Sequence, residues 1–117
     1  MVDDEALIRW SLAETLSDRG YEVFESADAR SARCAVGEDA RRFDVILLDF
    51  RLPDSEDLSL LASLRQSSPE SQIILMTAFG APEVVRGALD LGAYRVVSKP
   101  FEMHDLANLV AEAGASR

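Results

Sequence analysis

The stretch from Phe43 to Asp54, FDVILLDFRLPD, constrains the fold more than any other. Val45, Ile46, Leu47 and Leu48 form an unbroken apolar run, and Asp49 follows with nothing polar between. Such a run, rich in branched side chains and closed by a turn signal, predicts a strand buried on both faces. Leu52-Pro53-Asp54 supplies the stop, because proline cannot extend a hydrogen-bonded ladder. At the carboxyl end of such a strand, Asp49 either caps a turn or stands where open α/β sheets bind ligands.

The rest of the chain alternates around that strand. Ile8, Leu12 and Leu16 fall four apart after Asp3, Asp4 and Glu5, which predicts a helix ended by Gly20. Trp10 lies off that stripe and is expected half-buried at the surface. Tyr21 to Ser26 alternates as a strand, and Asp28 or Ser31 could cap a short helix through Val36. After the Pro53 turn, Leu58, Leu60, Leu61 and Leu64 mark a helix that stops near Pro69. Gln72 to Met76 (QIILM) reads as a second buried strand ending in Thr77. Ala81 to Leu91 is a helix with Pro82 in its first turn and Gly92 closing it. Arg95 to Ser98 is a short strand before Lys99-Pro100, and Met103 to Ala113 is a last helix with Leu106, Leu109, Val110 and Ala113 inward. Strands alternating with helices predict right-handed crossovers, a parallel sheet and helices on both faces. The expectation is one doubly wound α/β domain over residues 1–117, with no second domain, linker or repeat.

A formal net charge of −9 argues against nucleic-acid binding by bulk attraction to phosphate, so no direct nucleic-acid contact is expected. No apolar stretch approaches the length of a membrane span and no signal peptide precedes the fold, which points to a cytoplasmic location. Cys34 is alone, so neither a disulfide nor a thiolate metal set is expected, and the residue reads as a small buried hydrophobe. His104, early in the last helix and without a partner set, reads as a surface residue.

Placing the strands gathers the polar residues. Asp3 and Asp4 follow the first strand, Asp49 the third, Thr77 the fourth and Lys99 the fifth. The carboxyl ends of parallel strands lie along one edge, so these five residues converge. Clustered carboxylates raise one another's pKa unless a cation is present. Mg²⁺, a hard ion that accepts carboxylates, water and phosphate oxygens, suits them. A lysine and a threonine hydroxyl can then bind the remaining oxygens of a phosphoryl group. The set describes phosphoryl transfer to a carboxylate.

Over nearly its whole length the chain resembles the receiver domain of bacterial two-component response regulators. The matching pieces are VDDE at Val2 to Glu5, ILLDFRLPD at Ile46 to Asp54, ILMTA at Ile74 to Ala78 and SKPF at Ser98 to Phe101. IRWSL and GALDLGAYRVVSKPFEM are most similar to receivers of nitrogen-regulation-type transcription activators. The resemblance implies a flavodoxin-like five-stranded parallel sheet in the order 2-1-3-4-5, with the first strand shortened here. It implies Asp49 as phosphoacceptor, Asp4 on Mg²⁺ directly, Asp3 on it mainly through water, and the backbone carbonyl of Arg51 completing the metal site. Thr77 would be the switch hydroxyl, Lys99 the ion-pair partner, and Lys99-Pro100 a cis peptide. A sensor histidine kinase or phosphotransfer protein would donate the phosphoryl group. An output partner or effector domain would engage Ala81 to Ala113. Such a domain is a signalling module that catalyses only its own phosphorylation and dephosphorylation. The alternative is a pseudo-receiver that binds a partner without phosphorylation. A haloacid-dehalogenase-type phosphatase is disfavoured, because Arg51 stands where that family needs a second aspartate.

Three departures carry expectations of their own. The first strand is reduced to Met1-Val2, and about four missing apolar side chains would forfeit roughly 6–12 kcal/mol. We therefore expect the native chain to begin upstream of Met1, and the Met1 amine to compete with the metal near Asp3. Val96 replaces the aromatic residue usual three positions before Lys99, and Tyr94 would share its face on a strand. Signalling is then expected to run mainly through Thr77 and the loop after it. Asp57, beside Glu56, replaces the usual glycine after the phosphoacceptor loop and reads as a helix-capping carboxylate.

Overall fold

Val45 to Leu48 needs apolar cover on both faces, and the computed structural model, which describes residues 1–3, 5–37, 43–52, 54, 58–78 and 81–115, supplies it. Three parallel strands, β1 (Val45–Asp49), β2 (Gln72–Thr77) and β3 (Arg95–Ser98), pair in the order β1-β2-β3. Leu47 lies opposite Ile74, and Leu75 opposite Val96. Five helices surround them: α1 (Ala6–Asp18), α2 (Ala29–Gly37), α3 (Ser59–Ser67), α4 (Pro82–Asp90) and α5 (Met103–Ala115).

The period-two alternation of the strands divides the core in two. Ile46, Leu48, Ile73 and Leu75 pack with Ala32 of α2, Leu60, Leu61 and Leu64 of α3, and Ala88 of α4. Leu47, Ile74 and Met76 pack with Leu12 and Leu16 of α1 and Leu106, Ala107, Val110 and Ala113 of α5. Helices therefore cover both faces, as the alternation of elements predicts. Leu109, expected inward, is only partly buried. Positive φ at Gly20 (93°) and Gly92 (98°) ends α1 and α4, a conformation that costs glycine nothing.

The five-strand order implied by the resemblance is not confirmed among the described residues. The first two expected strands are present as isolated parallel bridges, from Val2 to Ser26 and from Val2 to Leu48. The Val2 N–H donates to Leu47 O at 2.7 Å, and the Asp49 N–H to Val2 O at 2.8 Å. On the other side the Ser26 N–H reaches Met1 O at 2.9 Å, and the Asp3 N–H reaches Ser26 O at 3.0 Å. The physical reason is length: three residues offer too few alternating donors and acceptors for a ladder. The segment 21–25 accordingly stays outside regular strand structure.

Three further expectations are corrected. Cys34 is exposed, because it sits on the outer side of α2 rather than in either core cluster. Trp10, 59% exposed, keeps the partly buried place at the surface expected of it. Tyr94 precedes β3 and packs with Val97 on the α1–α5 side, while Val96 packs on the opposite side, so the two do not share a face. The Met1 amine donates to Phe24 O at 2.8 Å, and burial pushes its pKa down to about 6, which weakens its charge near neutral pH. Asp57 and Glu56 lie outside the described residues. No helix among the described residues is long and apolar enough to cross a membrane.

Candidate functional site

Asp49 and Thr77 stand at the ends of buried apolar strands that cannot shift without exposing core. Asp49 closes β1 directly after Leu48, and Thr77 closes β2 after Met76. Lys99 follows β3, and its N–H donates to Thr77 O at 2.7 Å, which fixes the end of one strand against the next. The Lys99-Pro100 peptide is cis, as the resemblance implies. Asp3 follows Val2, whose two bridges place it beside β1.

The ends converge on one ammonium. Lys99 Nζ lies 3.3 Å from Asp3 Oδ2, 3.2 Å from Asp49 Oδ2 and 3.0 Å from Glu5 Oε1. Asp3 is fully buried and Asp49 is 5% exposed, whereas Glu5 reaches in from the surface. One carboxylate oxygen from each of Asp3, Glu5 and Asp49 falls within 4.8 Å of the others. Asp3 Oδ1 accepts the Glu5 N–H at 2.9 Å, and Asp49 Oδ1 accepts the Arg51 N–H at 3.4 Å. Glu5, Asp49, Phe50, Arg51, Thr77, Ala78, Ala81, Val84 and Lys99 line a cavity of about 430 Å³. A comparable cavity, about 380 Å³ between Val23, Phe24, Val45 and Val110, brings together no such set of carboxylates, hydroxyl and lysine.

Burial is the first reason that the Asp49 pKa rises to about 7, and the neighbouring Asp3 charge is the second. Lys99 and the Arg51 N–H oppose that rise without cancelling it. Burial also lowers the Lys99 pKa, but the carboxylates of Glu5, Asp49 and Asp3 more than reverse this and hold it above the usual lysine value. An isolated ion pair would depress its acid. Asp49 rises instead because burial penalises its charge and the Asp3 carboxylate repels it, and together these outweigh Lys99 and the Arg51 N–H.

The structure thus brings together Asp3, Asp49, Thr77, Lys99 and Arg51 of the residues singled out in the sequence. Asp4 lies outside the described residues. Glu5 joins the cluster unexpectedly, although its place as the third acid after the first strand was a usable signal. Asp54 carried no readable signal: its carboxylate accepts the N–H groups of Ala29 (2.8 Å) and Arg30 (3.1 Å), capping α2 across 25 residues of chain. Asp28 supplies the expected local cap, its Oδ1 accepting the Ser31 N–H at 2.8 Å.

The sequence pattern of the response regulator receiver domain matches residues 1–111. The chain belongs to the response regulator receiver domain family. The receiver is 29% identical over 110 residues to sporulation initiation phosphotransferase F of Bacillus subtilis, covering 94% of this chain and 87% of that protein. It is 32% identical over 115 residues to the DNA-binding transcriptional regulator NtrC of Salmonella typhimurium, covering 97% of this chain and 24% of the regulator. The likeness to nitrogen-regulation-type receivers therefore holds, and the chain spans about a quarter of the length of that regulator. Its fold matches a CheY-like receiver of Methanospirillum hungatei with a TM-score of 0.92 at 29% identity, over 98% of this chain and 90% of that one.

Proposed function

We propose that this receiver, as a single domain over residues 1–117, takes a phosphoryl group from a phosphohistidine partner onto Asp49 and thereby switches a protein-interaction face. The observation that carries the reading is the sharing of the Lys99 ammonium by Asp3, Glu5 and Asp49 beside Thr77, in a cavity open to a partner. An Asp49 carboxylate oxygen attacks phosphorus and the P–N bond to imidazole breaks. The electron pair leaves with the imidazole, and an acyl phosphate remains. In the reverse sense of control, water attacks phosphorus, the P–O bond to Asp49 breaks, and the carboxylate and inorganic phosphate are restored.

The acidic cluster fits a hard divalent cation such as Mg²⁺, because it offers only oxygen donors and carries excess negative charge. Asp3, Asp4, Glu5, Asp49 and the backbone carbonyl of Arg51 would hold it. When bound, Mg²⁺ supplies positive charge to the carboxylates and to the phosphoryl oxygens, favouring ionised Asp49. Lys99 pairs with a phosphoryl oxygen in place of a carboxylate, and the Thr77 hydroxyl donates to another. Thr77 stands on β2 and Ala81 precedes α4, so a shift at that hydroxyl is passed to residues 81–113, the face offered to an output partner. The donor is a cytoplasmic histidine kinase or phosphotransfer protein, and the acidic domain itself makes no nucleic-acid contact.

Intact-mass analysis after incubation with Mg²⁺ and acetyl phosphate tests this reading. One phosphoryl adduct on the parent, absent from Asp49→Ala and absent in EDTA, is the expected result. A folded, metal-replete parent without an adduct would instead mark a domain that binds its partner without phosphorylation. Steady phosphate release from unrelated monoesters would mark a phosphatase.

A further inference from the structure

Asp3 is the most buried acid of the site, yet it stands on a segment held to the sheet by isolated bridges. Arg9, on the first turns of α1, adds a third attachment. Its Nη1 donates to the backbone carbonyl of Asp3 at 2.7 Å, and its Nε pairs with Glu25 Oε1 at 3.2 Å. Its own N–H donates to Glu5 O at 2.9 Å. Glu25 immediately precedes Ser26, which bridges Val2 from the other side. One guanidinium therefore ties α1, the segment carrying Asp3 and the segment beside it into a single unit.

The choice of atom matters. The Arg9 guanidinium takes the Asp3 carbonyl, which leaves Asp3 Oδ1 to the Glu5 N–H and Oδ2 to Lys99. Placed on the carboxylate instead, a guanidinium would neutralise a donor that the cluster offers to a cation and would compete with Lys99. Its planar fork is suited to holding a carbonyl and a carboxylate at once, which a lysine ammonium does with less geometric control. Arg9 is only partly exposed, with 22% of its side chain accessible, so these bonds are screened less than those of a free surface arginine.

We infer that Arg9 is a positioning residue that sets Asp3 for divalent-cation binding through its backbone carbonyl, without the guanidinium occupying its carboxylate. The inference rests on the receiver reading of the acidic site. Calorimetric titration with MgCl₂ at a temperature where every variant is folded tests it, using parent, Arg9→Met, Arg9→Lys and Glu25→Gln. Arg9→Met is expected to weaken Mg²⁺ binding about tenfold, the scale of losing a supporting contact around a metal site. Arg9→Lys should recover part of the loss, and Glu25→Gln should lose less than Arg9→Met. In metal-free protein, Arg9→Met should speed amide exchange at Asp3 and Glu5 while leaving Leu75 in β2 unchanged. A parent that binds no Mg²⁺ would overturn the receiver reading itself. A parent that binds Mg²⁺ with the same affinity as Arg9→Met would overturn the role of Arg9 alone. Equal acceleration of exchange at Leu75 would make Arg9 a general stabiliser rather than a positioning residue.

Discussion

The site is shared by two unequal parts of one sheet. Asp49, Thr77 and Lys99 stand on or directly beyond β1, β2 and β3, which pair continuously over four or five residues at each junction. Asp3 stands on a short segment held to its neighbours by isolated bridges at Val2 and a few backbone hydrogen bonds of Met1, Val2 and Asp3. The groups proposed to hold the phosphoryl oxygens are thus on the firmly laddered part, and part of the proposed cation cage is on the sparsely bonded one. The difference suggests a division of labour in which strand pairing fixes the acceptor. Bonds from the Arg9 guanidinium, the Glu5 backbone N–H and the Lys99 ammonium would fix Asp3.

Paired core truncations are the strongest way to break this comparison. Ile74, fully buried at the centre of β2, should cost about 2–5 kcal/mol when changed to alanine. Val2→Ala, in the bridged part, should cost about 1–2 kcal/mol. Urea unfolding would reveal both, and a Val2 cost equal to that of Ile74 would show that the bridged part is no weaker.

Acidity gives the next largest effect. The Asp49 pKa is about 7 in the fold, against an ordinary value of 3.8, so the folded chain keeps a proton that the unfolded chain releases. That contribution is fully present below about pH 4 and is lost as pH rises through about 7. In EDTA, Asp49→Asn should therefore become more stable than the parent by roughly 4 kcal/mol at pH 8, with little difference at pH 4. Thermal melts across that range would show it, and a difference independent of pH would contradict the burial of Asp49 among carboxylates.

The smallest effect concerns the loop after Asp49. Asp54→Ala removes the cap on Ala29 and Arg30 and should lower stability by about 1 kcal/mol. Asp54→Asn, which keeps an acceptor, should recover most of it. Equal losses in both variants would mean that charge rather than hydrogen bonding matters there.

The laddered part was the legible one. Continuous apolar runs at residues 45–48 and 72–76 announce strands buried on both faces, and Asp49, Thr77 and Lys99 follow as their punctuation. The bridged part was read less well because alternation at residues 21–26 reports a preference for extended backbone, while a ladder also needs a partner of matching length. Arg9 and Asp54 were missed for a related reason. Each acts through a bond to another segment's backbone, and sequence spacing carries no signal for such a bond. Tyr94 was misplaced because it precedes the strand, where the strict alternation of faces no longer holds.

Native-state amide hydrogen exchange with and without Mg²⁺ tests most directly whether one site stands on two unequally held parts. Without metal, the amides of Asp3 and Glu5 should exchange far faster than those of Ile74 and Leu75. Saturating Mg²⁺ should slow the first pair strongly and leave the second nearly unchanged. Equal protection of both pairs without metal, or no response of Asp3 and Glu5 to Mg²⁺, would contradict the account.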